Sequence, residues 1–196
     1  MMGRLLRIAA AGLLCASISA CSSPPTRFYS LSVLATATAP PLPVAISIGP
    51  VSIPGVVNST RVVLNVGPNE VRPDEFHRWA SPLQDGIARA VAADLAMVLG
   101  TSRVTIATDA LGLDCDYRVK IDVQRFESIR GDAALFDAVW LVRRSADGMS
   151  KTGRTTLREA AQGGGVDALA AAHSRALARL SGDIGAAVRA LVESAQ

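Results

Sequence analysis

The chain has 196 residues, 20 of them basic and 17 acidic, with a net charge of +3 and only 19% charged side chains. A charge so near balance leaves no electrostatic footprint for nucleic acid. The length supports one domain with a substantial core rather than two.

Residues 1–20 read as an export leader. Arg4 and Arg7 form a basic start, and Ile8 to Ile18 an apolar run broken only by Gly12 and Ser17. The run is shorter than the roughly 20 residues that span a bilayer, so it predicts a cleaved signal rather than a retained helix. Both arginines leave with the leader, so the mature chain keeps 18 basic and 17 acidic residues. Ile18-Ser19-Ala20-Cys21 has the form of a bacterial lipobox. Small residues precede the cysteine, which would carry a diacylglyceryl group on its thiol and a third acyl chain on its freed amine. Each buried CH₂ is worth about 0.8 kcal/mol, so two or more chains anchor the protein stably. This covalent lipid on Cys21 is the only attached group expected; no other cofactor and no metal is. Ser22, rather than aspartate, follows the cysteine. That favours the outer membrane, periplasmic face, over the inner membrane.

Residues 21–43 combine the lipidated cysteine with a Pro/Ser/Thr/Ala-rich stretch. Pro24-Pro25 and Pro40-Pro41-Leu42-Pro43 favour extended backbone, and the segment reads as a tether. Within it, Arg27-Phe28-Tyr29-Ser30-Leu31 holds two of the chain's few aromatics and is expected to dock on the domain as a strand.

The globular part, 44–196, opens with Val44, Ile46 and Ile48 alternating with small residues. Gly49-Pro50 and Pro54-Gly55 break the run. Arg61 to Val66 is a β-rich run ended by Gly67-Pro68. Glu70-Val71-Arg72 and Phe76-His77-Arg78-Trp79 suggest a short strand pair. A helix follows, with Ser81 as N-cap, Pro82 at the first position and Gln84 completing a capping box. Leu83, Ile87, Val91, Leu95 and Val98 form its apolar stripe, Asp85 can pair with Arg89, and Gly100 stops it.

The period then changes to two. Val104 and Ile106 suggest a short strand. Leu113, Cys115, Tyr117, Val119, Ile121 and Val123 point one way, and their charged neighbours the other, as in a half-buried antiparallel strand. Ala134–Arg144 and Met149–Ala161 follow as strands around Ala146-Asp147-Gly148. Gly163-Gly164-Gly165 ends the sheet region. Asp167 caps a last helix whose stripe runs Leu169, His173, Leu177, Leu180, Ile184, Val188 and Leu191; Gly182 and Gly185 allow close packing. The sum is a single α/β (α+β) domain: a mostly antiparallel or mixed sheet with two main helices on one face.

No catalytic motif stands up, and the chain reads as a non-enzyme. His77 and His173 are the only histidines, and no nucleophile is spaced to meet either. Gly163-Gly164-Gly165 lacks the lysine and the Ser/Thr of a phosphate loop. Cys115 is the one cysteine left beyond the lipobox and reads as a buried, inert thiol.

Three elements in order carry a family resemblance: Arg27-Phe28-Tyr29-Ser30-Leu31, then Ile48-Gly49-Pro50-Val51-Ser52-Ile53-Pro54 with the strand through Arg61-Val62-Val63, then Arg78-Trp79-Ala80-Ser81-Pro82-Leu83. The chain resembles the PqiC-like auxiliary lipoproteins of ABC-type transporters, associated with membrane integrity. It departs from them at Ser81, where an acidic residue is common, and at Gly55 to Thr60, which lacks a Leu-Asp-Arg-Pro-like turn. The resemblance implies an MCE-domain protein and ABC transporter components as partners. The lipoprotein would be the outer-membrane end of a lipid-transport assembly, and self-association into a ring would suit ring-forming MCE proteins. A structural or regulatory lipoprotein acting on cell-wall synthesis or outer-membrane assembly is the rival reading.

A partner surface is expected on loops and one sheet edge. The candidates are Phe28, Tyr29, Pro54, Val56, Val57 and Trp79. Core packing is the competing role for each, and the favoured one for Trp79, which sits where the first helix meets the sheet.

Overall fold

The computed structural model describes residues 24–37, 39–107 and 114–195. The leader, Cys21 and Leu113 lie outside them. In chain order the elements are β1 (Arg27–Tyr29), β2 (Ile46–Ser52), a 3₁₀ turn (Gly55–Val57), β3 (Arg61–Gly67), β4 (Glu70–Trp79), α1 (Leu83–Leu99), β5 (Val104–Ile106), β6 (Tyr117–Ile129), β7 (Ala133–Arg144), β8 (Ser150–Ala160) and α2 (Val166–Glu193).

The alternating run in the middle of the chain becomes β6, the trunk of the sheet. Along one edge it pairs antiparallel with β7, and β7 with β8. Its other edge forks. The first half pairs in parallel with β2, from Ile46↔Tyr117 to Ser52↔Asp122. Its last residue pairs in parallel with β3, Asn65↔Ile129. β5 lies outside β2, β4 outside β3, and β1 pairs in parallel with the end of β4. The eight strands therefore form one mixed sheet, and the fold is α+β in one domain, as the sequence pattern predicts.

Tyr117, Val119, Ile121 and Val123 are buried while Arg118, Lys120 and Asp122 face outward. A register shift between Val123 and Arg125 resets the alternation, so that Phe126 and Ser128 stay on the core side. There α1 packs on β2 and β5, and α2 on β6, β7 and β8. The predicted stripes of both helices are buried throughout. Gly185 lets the helices meet: a Cβ there would stand 2.5 Å from Val98 Cγ1. Gly100 ends α1 in the left-handed region, φ 64°, as only glycine does without strain.

Several local expectations change. Pro82, not Ser81, is the N-cap of α1, and no side chain caps it. Gln84 Nε2 instead donates across the core to the Val51 carbonyl at 2.7 Å, so the capping box gives way to a tertiary bond. Asp85 and Arg89 form no ion pair. Asp167 lies in the first turn of α2, with Gly165 as N-cap. Glu70 to Trp79 is one strand, not two: Pro73 is tolerated because β1 covers only His77 to Trp79 on that edge.

The largest difference concerns residues 30–43, read as tether. The Phe28–Tyr29 strand does dock, and the chain after it is laid along the helices. The Ser32 N–H donates to Ser174 Oγ at 3.0 Å on α2, those of Leu34 and Ala35 to Asp94 Oδ1 at 2.9 Å each on α1, and that of Leu42 to the Leu99 carbonyl at 2.7 Å. Leu31, Ala35 and Leu42 pack against the core. The segment is a strap over the α1–α2 seam, held because its apolar side chains find the core and its amides find acceptors.

Candidate functional site

The six candidate contact residues separate into two groups. β1 brings Tyr29 opposite Trp79. Between β1, the strap and the first half of α1 lies a groove of about 310 Å³, lined by Tyr29, Leu31, Val33, Leu83, Arg89 and Ala90 around Trp79. Trp79 is its floor, only 6% exposed, and packs edge-on against Phe126 and His173. Its role as a packing residue is thus visible in the geometry. Phe28 points to the other side of β1 and is 65% exposed; its cross-strand neighbour is Arg78, which in turn pairs with Arg61.

The second group sits at the fork of the sheet. Between Asp122 and Ile129, β6 has no ladder partner on its forked edge among the described residues. The 3₁₀ turn fills this opening. Val57 plugs it and is buried, so it belongs to the core rather than to a contact surface. Pro54 and Val56 remain outside, Val56 at 56% exposure, on a pocket of about 110 Å³ with Val63, Val71 and Phe126.

The histidines serve structure. His173 is fully buried with its ring stacked on Phe126, centroids 3.7 Å apart, and its Nε2 is 2.9 Å from Ser128 Oγ. Burial pushes its pKa down to about 3, because Nδ1 has no partner to compensate a charge. His77 Nδ1 lies 2.7 Å from Asp74 Oδ1, and Arg130 reaches the other carboxylate oxygen at 2.8 Å. Burial alone would raise Asp74, but hydrogen bonds from His77 and the Phe76 N–H hold it below the usual carboxylate range. Cys115 is half-buried rather than buried, its Sγ 3.9 Å from Ser145 Oγ.

Two residues that sequence reasoning passed over hold the strap. Asp94 is completely buried on α1, among the stripe residues Val91, Leu95 and Val98. Its Oδ1 takes two amides while Oδ2 has no partner, and burial raises its pKa. An acid on an apolar helix face was the available signal. Ser174 gave none, since a serine beside a helical stripe is ordinary.

A family profile described as "ABC-type transport auxiliary lipoprotein component" matches residues 29–185. A crystal structure of a Xanthomonas campestris protein of the DUF330 family superposes with a TM-score of 0.71 at 20% identity, covering 87% of this chain and 100% of that one. A second crystal structure, of an uncharacterized protein, gives 0.65 at 18% identity, covering 84% and 99%. At these identities the likeness speaks for the fold. No curated protein matches the chain in sequence.

Proposed function

The chain belongs to the family of ABC-type transport auxiliary lipoprotein components, and from that membership we propose that it is the lipid-anchored, periplasmic end of an MCE/ABC-type lipid-transport system. Cys21 carries the acyl chains, the outer membrane holds them, and the domain docks the inner-membrane transporter assembly through its MCE-domain protein. The role is one of binding, not catalysis. The observation that carries the reading is the family match, which spans nearly the whole folded domain.

The groove beside Tyr29 is the docking surface this reading favours. It is apolar and open, and Val33 stands exposed at its rim. An extended or helical apolar segment of a partner fits such a surface. The test is in-cell photocrosslinking from Val33, with mass spectrometry of the captured protein. Capture of an MCE protein or its transporter is expected. Capture of a cell-wall synthase or an outer-membrane assembly machine would overturn the transport reading.

A further inference from the structure

We infer that the β3–β4 hairpin end of the domain rests on the membrane that holds the Cys21 lipid, with Val66 and Val71 seated in its interface. The inference rests on the lipidation of Cys21 proposed above. Direction is the first argument. β1 runs parallel to β4, with Arg27 opposite His77. The chain before Arg27 therefore leaves toward the start of β4, where the Gly67–Glu70 turn closes the hairpin.

Length is the second. Cys21 precedes Arg27 by six residues, a reach of about 20 Å at full extension. Pro24-Pro25 favours that extension. Val71 precedes His77 by six residues along β4, which is also about 20 Å at the rise of a strand. The reach available to the anchor therefore matches the distance to the hairpin end. The connection stays this short because β1 is paired with β4, and the strap behind β1, held to the helices by Asp94, Ser174 and Leu99, supports that docking.

The surface at that end is the third. Val66 and Val71 flank the hairpin turn at 46% and 42% exposure, with Val56 nearby. Single exposed valines are ordinary; these stand where the anchor leads. The β6–β7 turn lies at the same end, since Asn65 pairs with Ile129. Glu70, Asp74 and Asp132 there are paired with Arg72, Arg130 and Arg158, while Glu75 is exposed and forms no ion pair among the described residues. An anionic leaflet therefore meets carboxylates that are mostly neutralised. The groove at Tyr29 and Trp79 lies at the far end of β4 and so faces away from the membrane, toward a partner arriving from the opposite side.

The test uses the lipidated full chain, purified from membranes and reconstituted into vesicles of phosphatidylethanolamine and phosphatidylglycerol carrying dibrominated phosphatidylcholine. Trp79 and Trp140 are buried, so a Val71→Trp variant reports the hairpin surface. Met149→Trp, exposed beside the β7–β8 turn at the opposite end, is the control. The Val71→Trp signal should be quenched several-fold more than the control. In protein that floats with the vesicles, equal or absent quenching at the two sites overturns the inference and leaves the lipidation reading standing. Protein that does not float and carries no acyl mass on Cys21 removes both. Hydrogen exchange on the unsubstituted chain guards against an effect of the new indole. Residues 66–71 should slow on transfer from detergent to vesicles while the β7–β8 turn does not, and unchanged exchange at 66–71 also overturns the inference.

Discussion

Acidification should destabilise this domain through His173. The ring is fully buried against Phe126, and burial sets its pKa at about 3 against 6.5 for a free imidazole. Between those values the unfolded chain binds a proton at His173 and the native chain does not. The stabilisation is therefore whole above pH 6.5 and is lost as pH falls toward 3. Each pH unit costs about 1.4 kcal/mol, so a fall to pH 4.5 removes about 2.7 kcal/mol. That is a large share of the roughly 5–15 kcal/mol that holds a typical domain. Asp94 works in the opposite sense. Its burial raises its pKa, so its contribution is complete below 3.8 and fades as pH rises through the raised value. The two are separated by a His173→Phe variant, which keeps an aromatic ring on Phe126. It leaves Ser128 Oγ without its partner, a cost of about 1–3 kcal/mol at every pH. Urea unfolding followed by tryptophan fluorescence at pH 7.5 and 4.5 measures both proteins. The variant should lose distinctly less stability on acidification than the unsubstituted chain. Equal losses would refute the assignment of the acid sensitivity to His173.

Four further outcomes are expected. Trp79→Ala should cost about 3–5 kcal/mol, read by urea unfolding; unchanged stability with lost partner capture would make Trp79 a contact residue instead. Asp94→Ala should leave the Leu34 and Ala35 amides without their acceptor and speed their hydrogen exchange, while Asp94→Asn, which keeps an accepting oxygen, should largely preserve protection. Gly153→Ala drives a Cβ into the Trp140 ring at Cζ2, an overpacking expected to cost about 1–3 kcal/mol in the same unfolding assay. Cys21→Ala should move the protein from the membrane to the soluble fraction on cell fractionation and abolish function; a soluble protein with intact function would remove the need for an anchor.

The regular elements were legible because their periodicities are. β6 and the two helices bury one face each, and that leaves alternation or a stripe in the sequence. Strand order was not legible. The pairing of β6 with both β2 and β3 depends on a register shift and on which edges stay free, and neither marks the residue pattern. The capping signal at Ser81-Pro82-Leu83-Gln84 misled because a local bond competed with a tertiary one, and Gln84 reached the Val51 carbonyl. The proline-rich composition of 30–43 misled in another way. Proline disfavours helix and strand but does not prevent a chain from lying on a surface that supplies acceptors, and Asp94 and Ser174 supply them from helices far away in sequence. Among the contact candidates, chain order grouped Pro54, Val56 and Val57 as one surface, whereas the turn buries the third of them.

The strap also changes what the anchor can do for docking. A flexible tether from Cys21 to Leu42 would have about 21 residues, and an r.m.s. reach of about 25 Å. With β1 and the strap docked, Arg27 at the start of β1 follows Cys21 by only six residues. Effective concentration falls roughly as the −3/2 power of tether length, so docking β1 and the strap together raises local concentration at the membrane about sevenfold over a chain in which both are released. It also converts a tumbling domain into one with a preferred orientation, because β1 fixes the direction in which the short linker leaves. On the function proposed, a partner spanning the periplasm then meets the groove at Tyr29 already presented. Asp94 touches no part of that groove, yet it holds two of the strap's amides. On the function proposed, Asp94→Ala should therefore weaken partner capture without altering lipidation, and Asp94→Asn should restore it. Capture that is indifferent to both substitutions would mean that the strap serves the core alone.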